Sequence, residues 1–338
     1  MKYRVDWLGK KTGAQTGFVL VFIGLIGIIL VFTFSRAEKT IPKENVNVSN
    51  FMVSGVSVPA NIDFAGEKVP IDLFDVKEGL ERELLINSYW HSQTLMLLKR
   101  STRYFGQIEP ILKANNIPDD FKFLAVAESG FTNVTSPAGA VGFWQFIPAT
   151  ARDYGLEVNA EVDERYNVEK STEAACKFLK ESYNLYKTWT MSAASYNMGR
   201  KALNKQIQRQ YTKNYYDILL NDETARYVYR IIALKLILSD PQQYGFNIAK
   251  EDFYQPVPCS ELRINQPIKD LALFAFQKGT NYKILKLLNP WLRDNCLTNK
   301  EGKSYILKIP TPDYRKVDKE LQKDEIDKII SQSDQLAE

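Results

Sequence analysis

The uncharged run Gly17 to Phe34 (GFVLVFIGLIGIILVFTF) constrains this chain most, because a helix apolar on every side has no face to offer to water. At a rise of about 1.5 Å per residue it nearly matches the hydrocarbon thickness of a bilayer. Lys2, Arg4, Lys10 and Lys11 precede it against the single acid Asp6, whereas Arg36, Glu38, Lys39, Lys43 and Glu44 follow as a balanced mixture. The positive-inside tendency leaves residues 1–16 in the cytoplasm and exports the rest. Two alternatives stay open. A cleaved signal peptide needs a shorter apolar core and a small-residue site, and only FTFSRAE follows Val31. A buried core helix would be apolar all round at the start of a chain, which cores rarely use. We read 17–34 as an uncleaved transmembrane anchor.

Beyond the anchor the texture changes three times. Residues 35–76, with NVNVSN and SGVSVPANI, read as an extended, poorly ordered tether. From Lys77 the period becomes helical. Leu80, Leu84, Leu85, Tyr89, Leu95, Leu98 and Tyr104 give one long amphipathic helix, and Phe105 to Ala114 another after Gly106. Ile117-Pro118-Asp119-Asp120 starts the short apolar helix that ends in Glu128. After a glycine-rich passage, helices are expected over Trp144–Tyr154, Ser171–Lys187, Thr190–Asn197 and Thr224–Leu238. Few strands suggest themselves, so 77–250 reads as one all-α domain. VPCSELRIN and SYILKIP then bracket two short helices, Ile268–Phe276 and Ile284–Leu288, as a small β-α-α-β module over 255–311. Residues 312–338 read as a charged helix or frayed tail.

Composition excludes several function classes. The net charge is +4 over 338 residues, and no run of Lys/Arg interleaves with aromatics, so nucleic acid is not expected as a partner. The single histidine, His91, lies in a helical stretch without a nucleophile motif; it removes most zinc and triad arrangements. Cys176, Cys259 and Cys296 follow no metal spacing. Cys176 reads as a small core residue, while Cys259 and Cys296 are free to pair or to stay apart. No metal or cofactor is expected.

Glu128 is the candidate for chemistry. It closes FKFLAVAE, meets the helix stop Ser129-Gly130, and lies near Phe143-Trp144 in sequence. A carboxyl in such apolar company is partly desolvated, which raises its pKa and keeps it protonated near neutral pH. The bland alternative, a solvated helix-end Glu, stays open on spacing alone. The surrounding blocks are Glu128-Ser129, Ser136-Pro137-Ala138-Gly139-Ala140 and Gly142-x-Trp144-Gln145-Phe146-x-Pro148-x-Thr150-Ala151. They continue with Tyr154-Gly155-Leu156, Asp163-Glu164-Arg165, Ala194-x-Tyr196-Asn197-x-Gly199 and Glu223-Thr224-x-Arg226-Tyr227-Val228. In this ordered set the chain resembles the soluble lytic transglycosylase family of the lysozyme superfamily, and within it the membrane-bound lytic murein transglycosylase D type. The 255–311 module is more weakly similar to a LysM repeat, through Leu288-Asn289-Pro290 ahead of a terminal Ile-Pro.

The resemblance implies a mainly α, lysozyme-like catalytic domain in the bacterial periplasm, held to the inner membrane through 17–34, with peptidoglycan glycan strands as partner. It implies that Glu128 is the catalytic acid and that Ser136, Gln145, Tyr196, Asn197, Glu223 and Tyr227 line the substrate cleft. Trp144 stands where many relatives have methionine, and is expected to reshape the cleft wall. Asp163-Glu164-Arg165 is expected to serve folding. The implied reaction breaks the N-acetylmuramic acid to N-acetylglucosamine bond and leaves a 1,6-anhydro end. A hydrolytic muramidase on the same fold and a non-catalytic wall-binding protein are the rival readings.

Overall fold

Helices carrying one buried apolar face build most of the structure, a computed structural model that describes residues 55–312. The anchor 17–34, the first part of the expected tether and the charged tail from 313 lie outside the described residues. No described helix is long and apolar enough to cross a membrane.

The chain opens on a small hairpin, β1 (Asp63–Phe64) and β2 (Glu67–Lys68), and continues through α1 (Phe74–Tyr89), α2 (His91–Ala114) and α3 (Phe121–Ser129). Then come α4 (Pro148–Asp153), α5 (Val168–Tyr186), α6 (Trp189–Met198), α7 (Arg200–Gln210) and α8 (Asp222–Ser239). Helix α8 is the central strut. It packs against α1, α3 and α6, while α5 packs against α2 and α6. Leu80, Leu84, Leu124, Leu179, Val228 and Ile231 are fully buried in the resulting core.

Residues 55–76 depart from the expected tether. Ala65 and Gly66 both have positive φ (54° and 80°), the geometry of a two-residue hairpin turn. Phe64 and Val69 are fully buried, and Glu67 accepts hydrogen bonds from Thr190 N (2.9 Å) and Thr190 Oγ1 (2.6 Å), capping α6. Lys235 of α8 bonds to Asp120 at 2.8 Å and Asp63 at 3.1 Å, pinning the hairpin to the start of α3. Sparse apolar residues hid this, because a two-residue strand carries no readable period.

The long helix breaks at Trp90 (φ −85°, ψ 59°), not at Gly106, which runs on inside α2. Helix is also absent over Trp144–Ile147. Gln145 is left-handed (φ 47°), Val141 bridges Phe146, and Ile147 is extended (ψ 154°) before Pro148 begins α4. Proline suits a first turn and disfavours helix in the residue before it, so the local chemistry explains the late start. Helix α7 was not foreseen. Its side chains are mostly polar and only Leu203 is buried.

After α8 the C-terminal module has the expected order: β3 (Cys259–Ile264), α9 (Leu271–Gln277), α10 (Tyr282–Leu288) and β4 (Tyr305–Pro310). The two strands pair antiparallel, Leu262 opposite Leu307. The module's core does not close on itself. Leu271, Leu285, Trp291, Leu292 and Leu307 share one cluster with Val141, Val162 and Tyr166 of the helical region. Cys176 is buried as expected, and Cys259 and Cys296 are both free thiols.

Candidate active site

The apolar sequence FKFLAVA buries α3 beneath α2 and α8, so its last turn delivers Glu128 into the interior side of a cleft. Gly130 ends the helix in the left-handed region (φ 55°), its N–H donating to Val126 O at 2.8 Å. A Cβ at Gly130 would stand 2.9 Å from Leu97 Cδ2, so glycine is needed there for both conformation and space. Ser129 Oγ donates to Phe143 O at 3.0 Å, tying the residue beside Glu128 to the following loop.

Glu128 itself is half-buried. Desolvation is the main influence and pushes its carboxyl up to about 7. The Tyr227 hydroxyl and the Arg230 guanidinium pull the other way, and the Glu223 carboxylate adds a small push upward. Tyr227 Oη donates to Glu128 Oε1. Burial, reinforced by the Glu128 charge, holds the Tyr227 phenol well above its ordinary value, so it remains a donor. Oε1 is thereby engaged, and Oε2 is left to carry the acid proton. No ion pair to Glu128 is formed among the described residues.

The cleft beside Glu128 has a volume of about 420 Å³. Trp90, Gln93, Val134, Glu83, Arg226 and Arg230 are among its lining residues. Glu83 is the surprise. It is 1% exposed, with Arg226 Nε at 2.6 Å and Arg230 Nε at 3.8 Å. Arg230 also holds Glu223 at 3.0 Å. Glu223, Arg226, Tyr227 and Arg230 follow a three-and-four spacing that puts them on one face of α8. The sequence carried a signal for Glu83 too: it lies between Leu80 and Leu84 on the apolar face of α1, where a carboxylate needs a partner.

The residues expected to bind substrate fall into five groups. Tyr227 is fully buried and touches Glu128 directly. Tyr196 and Asn197 stand behind it on α6. Tyr196 Oη donates to Trp144 O at 2.7 Å, its phenol pushed well up by burial and by the Glu128 charge, and Thr224 Oγ1 donates to Asn197 Oδ1 at 2.7 Å. Ser136 and Gln145 shape the loop: Ser136 Oγ accepts from Ala140 N at 3.0 Å, and Gln145 Nε2 donates to Gly142 O at 3.0 Å and Val134 O at 3.3 Å. Glu223 is exposed and paired with Arg230. Trp144 requires correction. It is fully buried and donates its indole N–H to Thr172 Oγ1 at 2.9 Å, so it packs the floor behind the site and forms no cleft wall. A buried indole needs an acceptor, and Thr172 on α5 supplies it.

Asp163, Glu164 and Arg165 are buried in the turn before α5. Arg165 pairs with Asp163 at 2.7 Å and donates to Gly139 O and Phe146 O, at 2.9 and 3.1 Å. The bonded loop approaches so closely that a Cβ at Gly142 would lie 1.9 Å from Arg165 O. The folding role expected for this triplet is thus a clamp on the loop between Ser136 and Phe146.

A mainly helical body, a desolvated glutamate at a helix end and a small β-α-α-β module define a class, and comparison with known families gives that class its name. Residues 107–219 match the family described as Transglycosylase SLT domain, and residues 260–313 match the Soluble lytic transglycosylase C-terminal LysM-like domain. The chain carries these two domains in that order. Among individual proteins it is similar to Membrane-bound lytic murein transglycosylase D of Escherichia coli (strain K12). The two are 27% identical over 271 residues, which is 77% of this chain. The same figures hold for the protein of that name in Escherichia coli O6:H1. The chain spans 58% of the length of these curated relatives. It also shares 28% identity over 108 residues with a protein of Alteromonas sp. (strain M-1) named for tributyltin chloride resistance. That match covers 31% of this chain and 52% of the relative.

Proposed function

We propose that this protein is a peptidoglycan lytic transglycosylase. It acts in the periplasm, is held at the inner membrane through residues 17–34, and works on glycan strands without a cofactor. The single observation that carries this reading is Glu128, a carboxyl pushed up to about 7 by burial, without an ion pair among the described residues, and opening on the cleft. A group so poised keeps its proton in about half of the molecules at pH 7, against almost none for an ordinary carboxyl, and can donate to the oxygen of a glycosidic bond.

In this reading Glu128 protonates the oxygen between N-acetylmuramic acid and N-acetylglucosamine as the bond to C1 breaks. The resulting carboxylate then takes the proton from the C6 hydroxyl of the same muramoyl ring. That oxygen closes on C1 and leaves a 1,6-anhydro end. An intramolecular nucleophile dispenses with a positioned water and with the second carboxylate that glycosidases otherwise use. Tyr227 supports the first half of the cycle, since its donated hydrogen bond favours the carboxylate that forms as the proton leaves. The lysozyme-like arrangement, the cleft residues Ser136, Gln145, Tyr196, Asn197, Glu223 and Tyr227, and the domain limits 77–250 and 255–311 belong to the same proposal.

The rival hydrolytic muramidase needs a second base, and the candidates Asp163, Glu164 and Glu223 are engaged elsewhere. Asp163 is paired with Arg165, Glu164 accepts Glu157 N at 2.9 Å, and Glu223 is paired with Arg230. The test is digestion of purified peptidoglycan by the full chain in detergent, with products identified by mass. Ends in 1,6-anhydro-N-acetylmuramic acid are expected. Reducing ends, heavier by one water, would make it a muramidase, and binding without products would make it a wall-binding protein.

A further inference from the structure

The C-terminal module does not hang from the helical domain as a separate binding unit. Its apolar core is completed by Val141, Val162 and Tyr166, which belong to the loops flanking the active-site region. Backbone bonds cross the same seam: Asp163 N donates to Trp291 O at 2.9 Å, Arg293 N donates to Glu161 O at 2.7 Å, and Val162 bridges Leu292. Side chains add to it. Arg293 lies over the Tyr166 ring at 4.2 Å, and Tyr305 Oη donates to Glu157 at 3.0 Å. Lys308 reaches Gln107 at 2.8 Å and also bonds to Glu169.

A continuous chain of contacts leads from that seam to the cleft. The 161–163 segment is gripped by the module, and two residues on Arg165 clamps Gly139 O and Phe146 O. Those carbonyls belong to the loop in which Val141 bridges both Thr135 and Phe146. The loop in turn meets the site twice. Phe143 O accepts from Ser129, the neighbour of Glu128, and Gln145 holds the carbonyl of Val134, which lines the cleft. Such a loop, with positive φ at Gly139, Gly142 and Gln145, has little regular structure to hold it alone.

We propose that the LysM-like module is a structural prop for the Thr135–Phe146 wall of the cleft. Val162, Arg165 and Arg293 then act as positioning residues for catalysis. The catalytic consequence rests on the proposed reading of Glu128; the structural one does not. A module that only bound glycan would affect long polymers and leave short substrates untouched. A prop affects every substrate, because the geometry around Glu128 is set by the loop it supports.

The experiment uses the full chain with the double substitution Val162→Ser and Arg293→Ala, and Val162→Ile as the conservative control. Hydrogen exchange is read at the Val141 and Ser136 amides, bonded to Phe146 O and Ala140 O, and at α8 amides as an internal reference. Turnover is read on a short soluble muropeptide. The prop predicts exchange at Val141 and Ser136 faster by about tenfold, with α8 unchanged. It also predicts kcat on the short substrate lower by about tenfold with KM little changed, and rescue by Val162→Ile. Unchanged loop exchange in a folded variant overturns the prop. Faster loop exchange with unchanged kcat on the short substrate confines the module to a structural role and removes the positioning claim. If the unsubstituted protein turns nothing over, the enzyme reading fails while the exchange result still stands. Where the double variant melts globally, Tyr305→Phe, which removes a single seam hydrogen bond, supplies the same comparison with a smaller shift.

Discussion

Two glutamates border the same cleft and live under opposite rules. Glu83, on α1, is nearly inaccessible and is met by Arg226 and Arg230, so its charge is matched inside the fold. Glu128, on α3, is more exposed, yet it has a tyrosine hydroxyl in place of a cation and its carboxyl rises to about 7. Burial alone does not make a catalytic acid. What matters is whether the protein compensates the charge. A buried carboxylate with two guanidiniums is a structural fixture, whereas one with a lone neutral donor keeps its proton near neutral pH and has something to give. Arg230 serves both: it braces Glu83 and Glu223 and, from a distance, restrains the rise at Glu128.

Substitution to glutamine separates the two carboxyls by what each one loses. Glu128→Gln is expected to lower turnover by about 10²–10⁴-fold while leaving the fold intact. A linked stability effect goes with it. The folded-state value of Glu128 lies above its ordinary 4.5, so the stability tied to its protonation is present below about 4.5 and lost as pH rises to about 7. Glu128→Gln is therefore expected to melt higher than the parent at pH 8 and no higher at pH 4, which thermal melts at the two pH values check. Glu83→Gln is expected to do the reverse, costing about 3 kcal/mol of stability because Arg226 loses its carboxylate partner and Arg230 keeps only Glu223. Denaturant unfolding of that variant, against turnover per folded molecule, separates the roles; a stable variant with no activity would put Glu83 in the chemistry.

Smaller effects sharpen the picture. Tyr227→Phe removes the hydrogen bond that favours the carboxylate, so the alkaline limb of activity is expected to move to higher pH as kcat falls. Glu223→Gln works in the opposite direction. It removes a like charge that raises Glu128, so the limb is expected to move to lower pH, by less than in Tyr227→Phe. A pair of pH–rate profiles checks both signs.

Much of this was legible in the sequence, and the gaps have physical reasons. Helices α5 and α8 showed themselves because each buries one face, α3 and α6 because short, nearly continuous runs of their residues are buried, and Glu128 stood out because it ends the most apolar of the short ones. The β-α-α-β order of the C-terminal module was readable from two alternating runs. Its shared core was not, since the partners Val141, Val162 and Tyr166 lie over a hundred residues away in the chain. The hairpin at Asp63 to Lys68 escaped because two-residue strands have no pattern, and the bend at Trp90 because no glycine or proline marks it. Trp144 was misplaced for an instructive reason. Sequence gives the residue's size and polarity but not its direction, and the indole turns inward to Thr172. Glu83 was missed because its partners, Arg226 and Arg230, come together with it only when α1 packs on α8.

Glu128 works as a protonated acid because the fold buries it without pairing it to a cation among the described residues. The pH dependence of kcat/KM on soluble glycan fragments tests it most directly. Activity is expected to hold from about pH 5 and to decline as pH rises through about 7. A decline beginning near the ordinary carboxyl value, or activity that climbs above pH 7, would contradict it.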